Sequence, residues 1–584
     1  MQAETKVCQN CKKDFTIEPE DFQFYEKMKV PPPTWCPHCR FVRRLVFVNE
    51  RTLYKRNCGK CGKSIISMYS PEVPFPVWCV KCHLGDDWDR LASGREYDFS
   101  VPFFKQFKEL KNLVPHRALS QNERNGPGCE YSNYCYTSKN TYLSFNTIRT
   151  ENVKYSKDSL GMRGNKNCMD CLTFRDNERC YELVHSDDNY NSSFLIESDQ
   201  CVESSFLYDC SNCVNCCLSA NLRNKSFVFQ NKQLTKEEYA REIATLQLGT
   251  FSGQSRVSEL FSEVYKSAVH RYAHIKNSVN VSGDYIENSK NAYHCYAVSD
   301  AENVKNIFLG ANVIKDSQDI LFAGRCEECY EFMLGGRGAS RAVLSFYCGG
   351  GCRNIFYCHS CTGCSDCFGC VGLDKKQYCI LNKQYTKEEY EKMIERIKKH
   401  IDEIPYVDRL GRKYTFGECF PTDLSPFAYN ETIAYEMFPL SREETISAGY
   451  SWKEIGEKSY VPTLKTGDIP NGVKDISDTI CEEVIECPNQ GGIETQCTSA
   501  FKISPDELAF YRQMNLPIPR FCPNCRYYDR LKWKNPYHFY ERSCMCELKN
   551  HGHDEKCSNE FETMYPPEKP EKIFCKECYQ REVY

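Results

Sequence analysis

Residues 201–219 read C-V-E-S-S-F-L-Y-D-C-S-N-C-V-N-C-C-L-S, and this stretch sets the expected fold. A turn rich in Asn, Ser or Cys is followed by a few aromatic, aliphatic or cysteine residues. The same unit recurs from about residue 128 to 385, as in N-T-Y-L-S-F at 140–145, N-S-S-F-L-I at 191–196, N-V-K-N-I-F-L-G at 303–310 and G-C-S-D-C-F-G-C at 363–370. Unit starts lie roughly 10 to 14 residues apart, too short and turn-rich for helical repeats but suited to the parallel strands of a β-helix. Asn and Ser satisfy the turns by bonding to backbone, while apolar residues stack inward. A two-sheet sandwich is the rival fold, and it would not require so constant a unit.

The region is itself duplicated at an offset of about 151 residues. Cys201, Cys210, Cys213 and Cys216 fall on Cys352, Cys361, Cys364 and Cys367. Each half closes on the same helix start: Thr235 with Glu238, and Thr386 with Glu389, are capping boxes. Two uses of the central cysteines stay open. They are either additional metal ligands or a packed ladder of thiols acting as small hydrophobes. The spacing of Cys361, Cys364, Cys367 and Cys370 departs from the ferredoxin pattern in its fourth cysteine and in lacking the proline.

Outside the repeat, two cysteine-rich modules are copies of one another. Cys36, Cys39, Arg40, Arg44, Leu45, Asn49, Tyr54, Arg56 and Cys58 superpose on Cys522, Cys525, Arg526, Arg530, Leu531, Asn535, Tyr540, Arg542 and Cys544. Tetrahedral zinc takes four soft ligands, and paired C-x-x-C turns supply them while pinning segments too short to bury a core. Four sites are expected. The first is Cys8, Cys11, Cys36 and Cys39; the second is Cys58, Cys61, Cys79 and Cys82. The third contains Cys497, Cys522 and Cys525; Glu494 stands where the fourth cysteine belongs, so either Cys487 or Cys481 replaces it or the site is degraded. The fourth contains Cys557, Cys575 and Cys578, with either Cys544 or Cys546, because an insertion rich in His, Gly and Asp follows Cys546.

The first module, through Cys8, Cys11, Phe15, Phe24, Tyr25, Cys36, Cys39 and Arg40, resembles small bacterial zinc-binding domains of the zinc-ribbon or treble-clef kind. Cys497, Phe501, Phe510, Tyr511, Cys522, Cys525 and Arg526 carry the same resemblance in the second. The whole chain resembles uncharacterised large cysteine-rich proteins of candidate-phyla bacteria. Both resemblances imply zinc binding and no activity.

The expected organisation is thus a multidomain, mainly β chain in which paired zinc modules flank a duplicated parallel β-helix-like solenoid with a few covering helices. Residues 1–95 form the first module and 96–127 a bridging helix and linker. Residues 128–234 form the first half of the solenoid, 235–276 a helical excursion and 277–385 the second half. A helix at 386–401, an extended strap at 402–480 and the second module at 481–584 complete it.

The 584 residues include 40 cysteines. The opening M-Q-A-E-T-K-V-C has no apolar leader character, and no stretch approaches the roughly 20 apolar residues that span a bilayer. C-x-x-C pairs in such a chain fit zinc in a reducing compartment better than disulfides. The reading is therefore a cytoplasmic protein with about four Zn2+ and no membrane partner. The net charge of −4 grows by about −8 if four thiolate quartets each hold zinc, which works against broad phosphate binding. A local basic cluster, Arg40, Arg43, Arg44 and Arg56 with Arg526, Arg530, Lys532, Lys534 and Arg542, is the candidate contact for RNA or a ribosome; the favoured alternative is that Arg40 and Arg526 brace the thiolates while their neighbours face solvent. No nucleotide-binding, nucleophile-elbow or H-E-x-x-H motif is present. The leading function is a non-enzymatic scaffold or macromolecule-binding protein, its partner another protein or RNA. The alternatives are a cysteine- or carboxylate-dependent enzyme on a β-helix and a self-assembling structural component.

Overall fold

Why the central repeat is built from Asn, Ser and Cys becomes clear from its backbone. The computed structural model describes residues 2–122, 124–159, 161–310, 313–323, 326–333, 338–454, 456 and 460–584. From Asn167 to Gln230, every third residue has a positive φ, including Thr173, Glu182, Leu218 and Phe227. The residue after each of these is buried throughout Cys168–Ser219. The chain therefore advances in triplets, each with one left-handed corner and one inward side chain. A left-handed residue other than glycine costs roughly 1–2 kcal/mol, so regular interactions must hold the corners.

Those interactions are parallel ladders. Tyr181 pairs with Ser193, Ser193 with Ser205, and Ser205 with Cys217, always twelve residues on. Arg353, Ser365 and Gln377 repeat the register. Two thirteen-stranded sheets result among the described residues, one from strands within Cys135–Gln233 and one from strands within Ile275–Gln384. Inward polar side chains supply a second ladder. Asn165 Oδ1 accepts the Asn177 N–H, Asn177 Oδ1 the Asn189 N–H, and Asn189 Oδ1 the Cys201 N–H, each at 2.8 Å. Ser186 Oγ accepts from Ser198 N–H, and Ser198 Oγ from Cys210 N–H, at 3.1 Å. Buried donors that the strand ladders leave over are thereby satisfied.

Each sheet ends in a helix that the caps predict. Thr235 Oγ1 accepts from Glu238 N–H at 3.2 Å and starts the helix Lys236–Leu246. Thr386 Oγ1 accepts from Glu389 N–H at 3.3 Å and starts Lys387–Glu403. The expected excursion and bridge hold the helices Phe251–Ser267 and Phe103–Leu113. The expected strap includes the short helices Ile433–Met437 and Arg442–Ser447. No helix among the described residues is long and apolar enough to cross a membrane.

The chain divides into two units, each made from separated segments. Residues 1–119 with 273–453 form one, and 120–272 with 454–584 form the other. The N-terminal module thus shares a unit with the second sheet, and the C-terminal module with the first. Both units use the same device to attach the module: a short strand before its last cysteine pair runs parallel to a strand from outside the module. These pairs are Val77–Trp78 with His116–Arg117, and Lys572–Phe574 with Val269–Arg271.

The inward ladder makes a checkable prediction. Asn177→Leu orphans the Asn189 N–H and should lower stability in urea unfolding by about 1–3 kcal/mol. Thr137, exposed and β-branched at φ 56°, should behave oppositely: Thr137→Asn should add about 1 kcal/mol.

Candidate metal centres

Each cysteine quartet is built from a β-hairpin and the first turn of a helix. The hairpins are Glu4–Val7 with Asp14–Ile17, Tyr54–Asn57 with Ser64–Ser67, Ile485–Glu486 with Ala500–Phe501, and Tyr540–Ser543 with Glu560–Thr563. The third ligand of every quartet is a helix N-cap: Cys36, Cys79, Cys522 and Cys575. The fourth lies three residues later, on the same turn. Pro37 and Pro523 follow the caps at N1, where the missing N–H costs nothing.

The four groups are Cys8, Cys11, Cys36, Cys39; Cys58, Cys61, Cys79, Cys82; Cys487, Cys497, Cys522, Cys525; and Cys544, Cys557, Cys575, Cys578. In each, all sulfurs lie within 4.8 Å of one another. A tetrahedron of Zn–S bonds near 2.3 Å has an S–S edge of about 3.8 Å. Cys11 and Cys36 are 3.8 Å apart, Cys487 and Cys525 3.8 Å, Cys522 and Cys497 3.9 Å, and Cys557 and Cys575 4.0 Å. The donor set and spacing fit zinc, and every expected ligand of the first two sites is in place.

Backbone and side-chain donors prepare the sulfurs for negative charge. Cys36 N–H donates to Cys8 Sγ, Cys79 N–H to Cys58 Sγ and Cys575 N–H to Cys544 Sγ, each at 3.2 Å. Asn10 Nδ2 donates to Cys39 Sγ at 3.3 Å, and Asn489 Nδ2 to Cys525 Sγ at 3.1 Å. One thiol per quartet is held below its ordinary range. Hydrogen bonds from Cys36 and Cys39 pull Cys8 down, and bonds from Cys487 and Cys525 pull Cys522 down. At Cys58 burial acts upward, but the N–H groups of Cys61, Cys79 and Lys60 outweigh it and bring the thiol to about 6.

The structure resolves both alternatives left by the sequence. Cys487 completes the third quartet; Cys481 is half-exposed and outside it. Cys544 completes the fourth, and Cys546 belongs instead to a second group with His553 and Cys578.

The central cysteines do not form comparable quartets among the described residues. Cys201, Cys210, Cys213, Cys216, Cys352, Cys361, Cys364 and Cys367 are all buried, and their thiols donate to carbonyls. Cys210 reaches Tyr208 O at 3.3 Å and Ser219 O at 3.9 Å; Cys361 reaches His359 O and Cys370 O, both at 3.6 Å. This is the pattern of the serines in the same inward positions: Ser186 Oγ donates to Val184 O and Leu195 O. Burial pushes the Cys210 thiol up, whereas Cys213, in contact with Cys201, Cys210 and Cys216, is pulled down.

Most of the basic cluster lies inside the protein. Arg40 Nη2 is 2.7 Å from Asp319, Arg43 is 2.7 Å from Glu331 and 2.9 Å from Glu418, and Arg44 is 3.4 Å from Asp319; these side chains are at most 3% exposed. Arg526 is 3.0 Å from Asp170, and Arg530 is 2.9 Å from both Asp170 and Glu182. Arg56 donates to Ser70 O at 2.8 Å and Arg542 to Pro566 O at 3.0 Å. Lys532 is exposed beside Asp529 at 2.7 Å, and Lys534 reaches Thr173 Oγ1 at 3.4 Å. The arginines of the two knuckle helices, candidates for a phosphate-binding surface, are instead buried against carboxylates. Their buried carboxylate partners, Asp319, Glu331, Asp170 and Glu182, were not identified from sequence. The duplication gave only an indirect signal, since Asp170 and Glu182 precede Asp319 and Glu331 by 149 residues rather than by the 151 that superposes the cysteines.

No protein-family model matches the chain, and no curated protein does. Among solved structures, a "putative acetyltransferase" from Desulfovibrio desulfuricans G20 aligns with 12% identity over 54% of this chain and 70% of its own, with a TM-score of 0.09. At that score the likeness carries no argument about fold or activity.

Replacing Cys487 by Ser should remove one zinc per chain by native mass spectrometry, while Cys481→Ser keeps the full complement. The reverse result would reassign the third site.

Proposed function

We propose that this protein is a non-enzymatic, zinc-stabilised scaffold. In this reading the modules are zinc ribbons of the treble-clef kind, and each repeat half is a four-cornered parallel β-helix of about twelve residues per turn. The triplet corners and the twelve-residue register support the coil, since four left-handed turns separate each strand from its hydrogen-bonded partner. The thiolate geometry supports the zinc. The cytoplasm is the compartment in which so many reduced thiols would persist.

One observation carries the choice of scaffold over RNA binder or enzyme: the most suggestive charged residues face one another inside the protein. Arg40, Arg43, Arg44, Arg526 and Arg530 meet Asp319, Glu331, Glu418, Asp170 and Glu182. Guanidiniums committed to buried carboxylates are not offered to phosphate, and carboxylates neutralised by arginine are poor acids or bases. These groups hold each module to its sheet, and the outer faces of the coils are left to bind a partner protein. Breaking one such pair leaves an uncompensated buried charge, a loss of about 3–5 kcal/mol.

Asp319→Asn should therefore lower the unfolding midpoint without changing zinc content. The full-length wild-type protein should leave the fluorescence anisotropy of labelled single-stranded and double-stranded RNA unchanged even at low salt. Salt-dependent RNA binding that Lys532→Ala with Lys534→Ala abolishes would overturn the reading in favour of an RNA-binding protein.

A further inference from the structure

Besides the shifted ligand of its third quartet, the C-terminal module departs from its N-terminal copy in the hairpin of its fourth. Where the second quartet has the tight turn Cys58-Gly-Lys-Cys61, the fourth runs from Cys544 to Cys557, and the added residues bring Cys546, His551 and His553. Cys546, His553 and Cys578 offer three ligand atoms within 4.8 Å of one another, and Cys578 is already a member of the fourth quartet. His553 Nε2 is 3.5 Å from Cys578 Sγ, and His551 Nδ1 is 3.3 Å from Cys546 Sγ. For zinc with bonds near 2.3 Å to sulfur and 2.0–2.1 Å to nitrogen, the S–N edge of a tetrahedron is about 3.6 Å. Cys546 and His551 are buried, and Gly552 between the histidines has φ +87°, a corner in which an added Cβ would meet Arg581 at 2.2 Å.

The outer nitrogens of the two imidazoles differ. His553 Nδ1 lies 2.5 Å from the Glu555 carbonyl, whereas His551 Nε2 has the Glu582 carboxylate nearby at 3.4 Å but makes no hydrogen bond. A histidine that ligates a metal through one nitrogen ordinarily donates its other N–H to a carboxylate or carbonyl, which fixes ring and tautomer. Here the two histidines turn opposite nitrogens toward sulfur, and His553 has such an acceptor behind it while His551 has a carboxylate within reach.

We infer that the C-terminal module holds a binuclear zinc cluster, in which Cys578 bridges the ion of the fourth quartet to a second ion bound by Cys546 and His553, with His551, outside that three-ligand group but 3.3 Å from Cys546 Sγ, closing in as the fourth ligand. Charge favours the second ion. One zinc on four thiolates carries about −2, whereas two ions on five thiolates and two neutral imidazoles carry about −1. Thiolate with imidazole is also a donor set that selects zinc over magnesium or calcium.

This inference rests on the reading that the quartets hold zinc, and metal counting separates the two. Native mass spectrometry of the full-length chain, purified under reducing conditions with zinc, should give five ions for the wild type. It should give four for His553→Gln, which alters a half-exposed side chain and should keep its circular dichroism, and four for His551→Gln and Cys546→Ser. Four ions in wild type and variants alike would overturn the cluster and leave the quartets standing. Fewer than four in the wild type, unchanged in the variants, would overturn the quartet reading itself. With 113Cd in place of zinc, two resonances sharing a scalar coupling are expected through Cys578, and five uncoupled resonances would refute the shared thiolate.

Discussion

Each unit depends on a buried meeting of guanidinium and carboxylate. On one side stands the helix whose N-cap is a cysteine of a quartet, Pro37–Leu45 or Pro523–Leu531. On the other stand carboxylates at left-handed corners of the strand repeat: Asp319 at φ 60°, Glu331 at 46°, Asp170 at 56° and Glu182 at 55°. Desolvating these charges is costly, and geometry decides whether the attraction repays it. Arg40 also donates to Trp35 O at 2.8 Å, and Arg526 to Phe521 O at 2.9 Å, so each arginine is fixed from its own module before it reaches the sheet. A metal bound at a quartet would act beyond its own ligands. By fixing the first turn of the helix it would aim the arginines, and the arginines hold the module to the sheet.

The same economy of groups explains the cysteine content. An inward position of the repeat must accept from the N–H of the next strand or donate to nearby carbonyls, in a space sized for a small side chain. Serine does both, asparagine does both with a longer reach, and cysteine donates weakly while contributing a hydrophobic sulfur. These three residues can therefore alternate along the interior: Asn165, Asn177 and Asn189 give way to Cys201 and Cys213 at successive steps of twelve. A cysteine count that suggests metal or disulfide chemistry is, over the repeat, a consequence of hydrogen bonding in a narrow core.

Legibility from sequence followed the locality of the cause. The knuckles, the proline after Cys36 and Cys522, and the capping boxes at Thr235 and Thr386 are short-range signals, and they located the quartets and helix starts. The triplet period was hidden because only some corners carry Asn, Asp or Gly; Phe194, Phe206, Leu218 and Phe227 occupy left-handed positions held by ladder contacts rather than by propensity. The arginines misled for a related reason. An R-x-x-R-R cluster beside a metal knuckle looks the same in sequence whether it faces water or a carboxylate some 280 residues away, as Arg40 faces Asp319. The third quartet was legible only as an alternative, because its first ligand moved from the position of Glu494 to Cys487.

The chain order adds a constraint that metal helps to meet. Residues 1–119 complete a unit with 273–453, so module and sheet must find one another across 153 intervening residues, from 120 to 272. Closing so long a loop is not thermodynamically prohibitive, since each doubling of length adds only about 0.6 kcal/mol. Its cost is kinetic, because distant contacts bring no stabilisation until the loop has closed. The cysteine quartets are local by comparison: Cys8 to Cys39 and Cys487 to Cys525 each lie within one short segment. A quartet can order its helix before the rest of the unit exists, presenting the arginines in the spacing that their carboxylates require. Successive parallel strands, only twelve residues apart, can stack independently and set Asp170 with Glu182, or Asp319 with Glu331, at left-handed corners twelve residues apart. Two locally ordered surfaces then meet through a few strong, directional contacts, which suits a protein whose paired halves are distant in sequence.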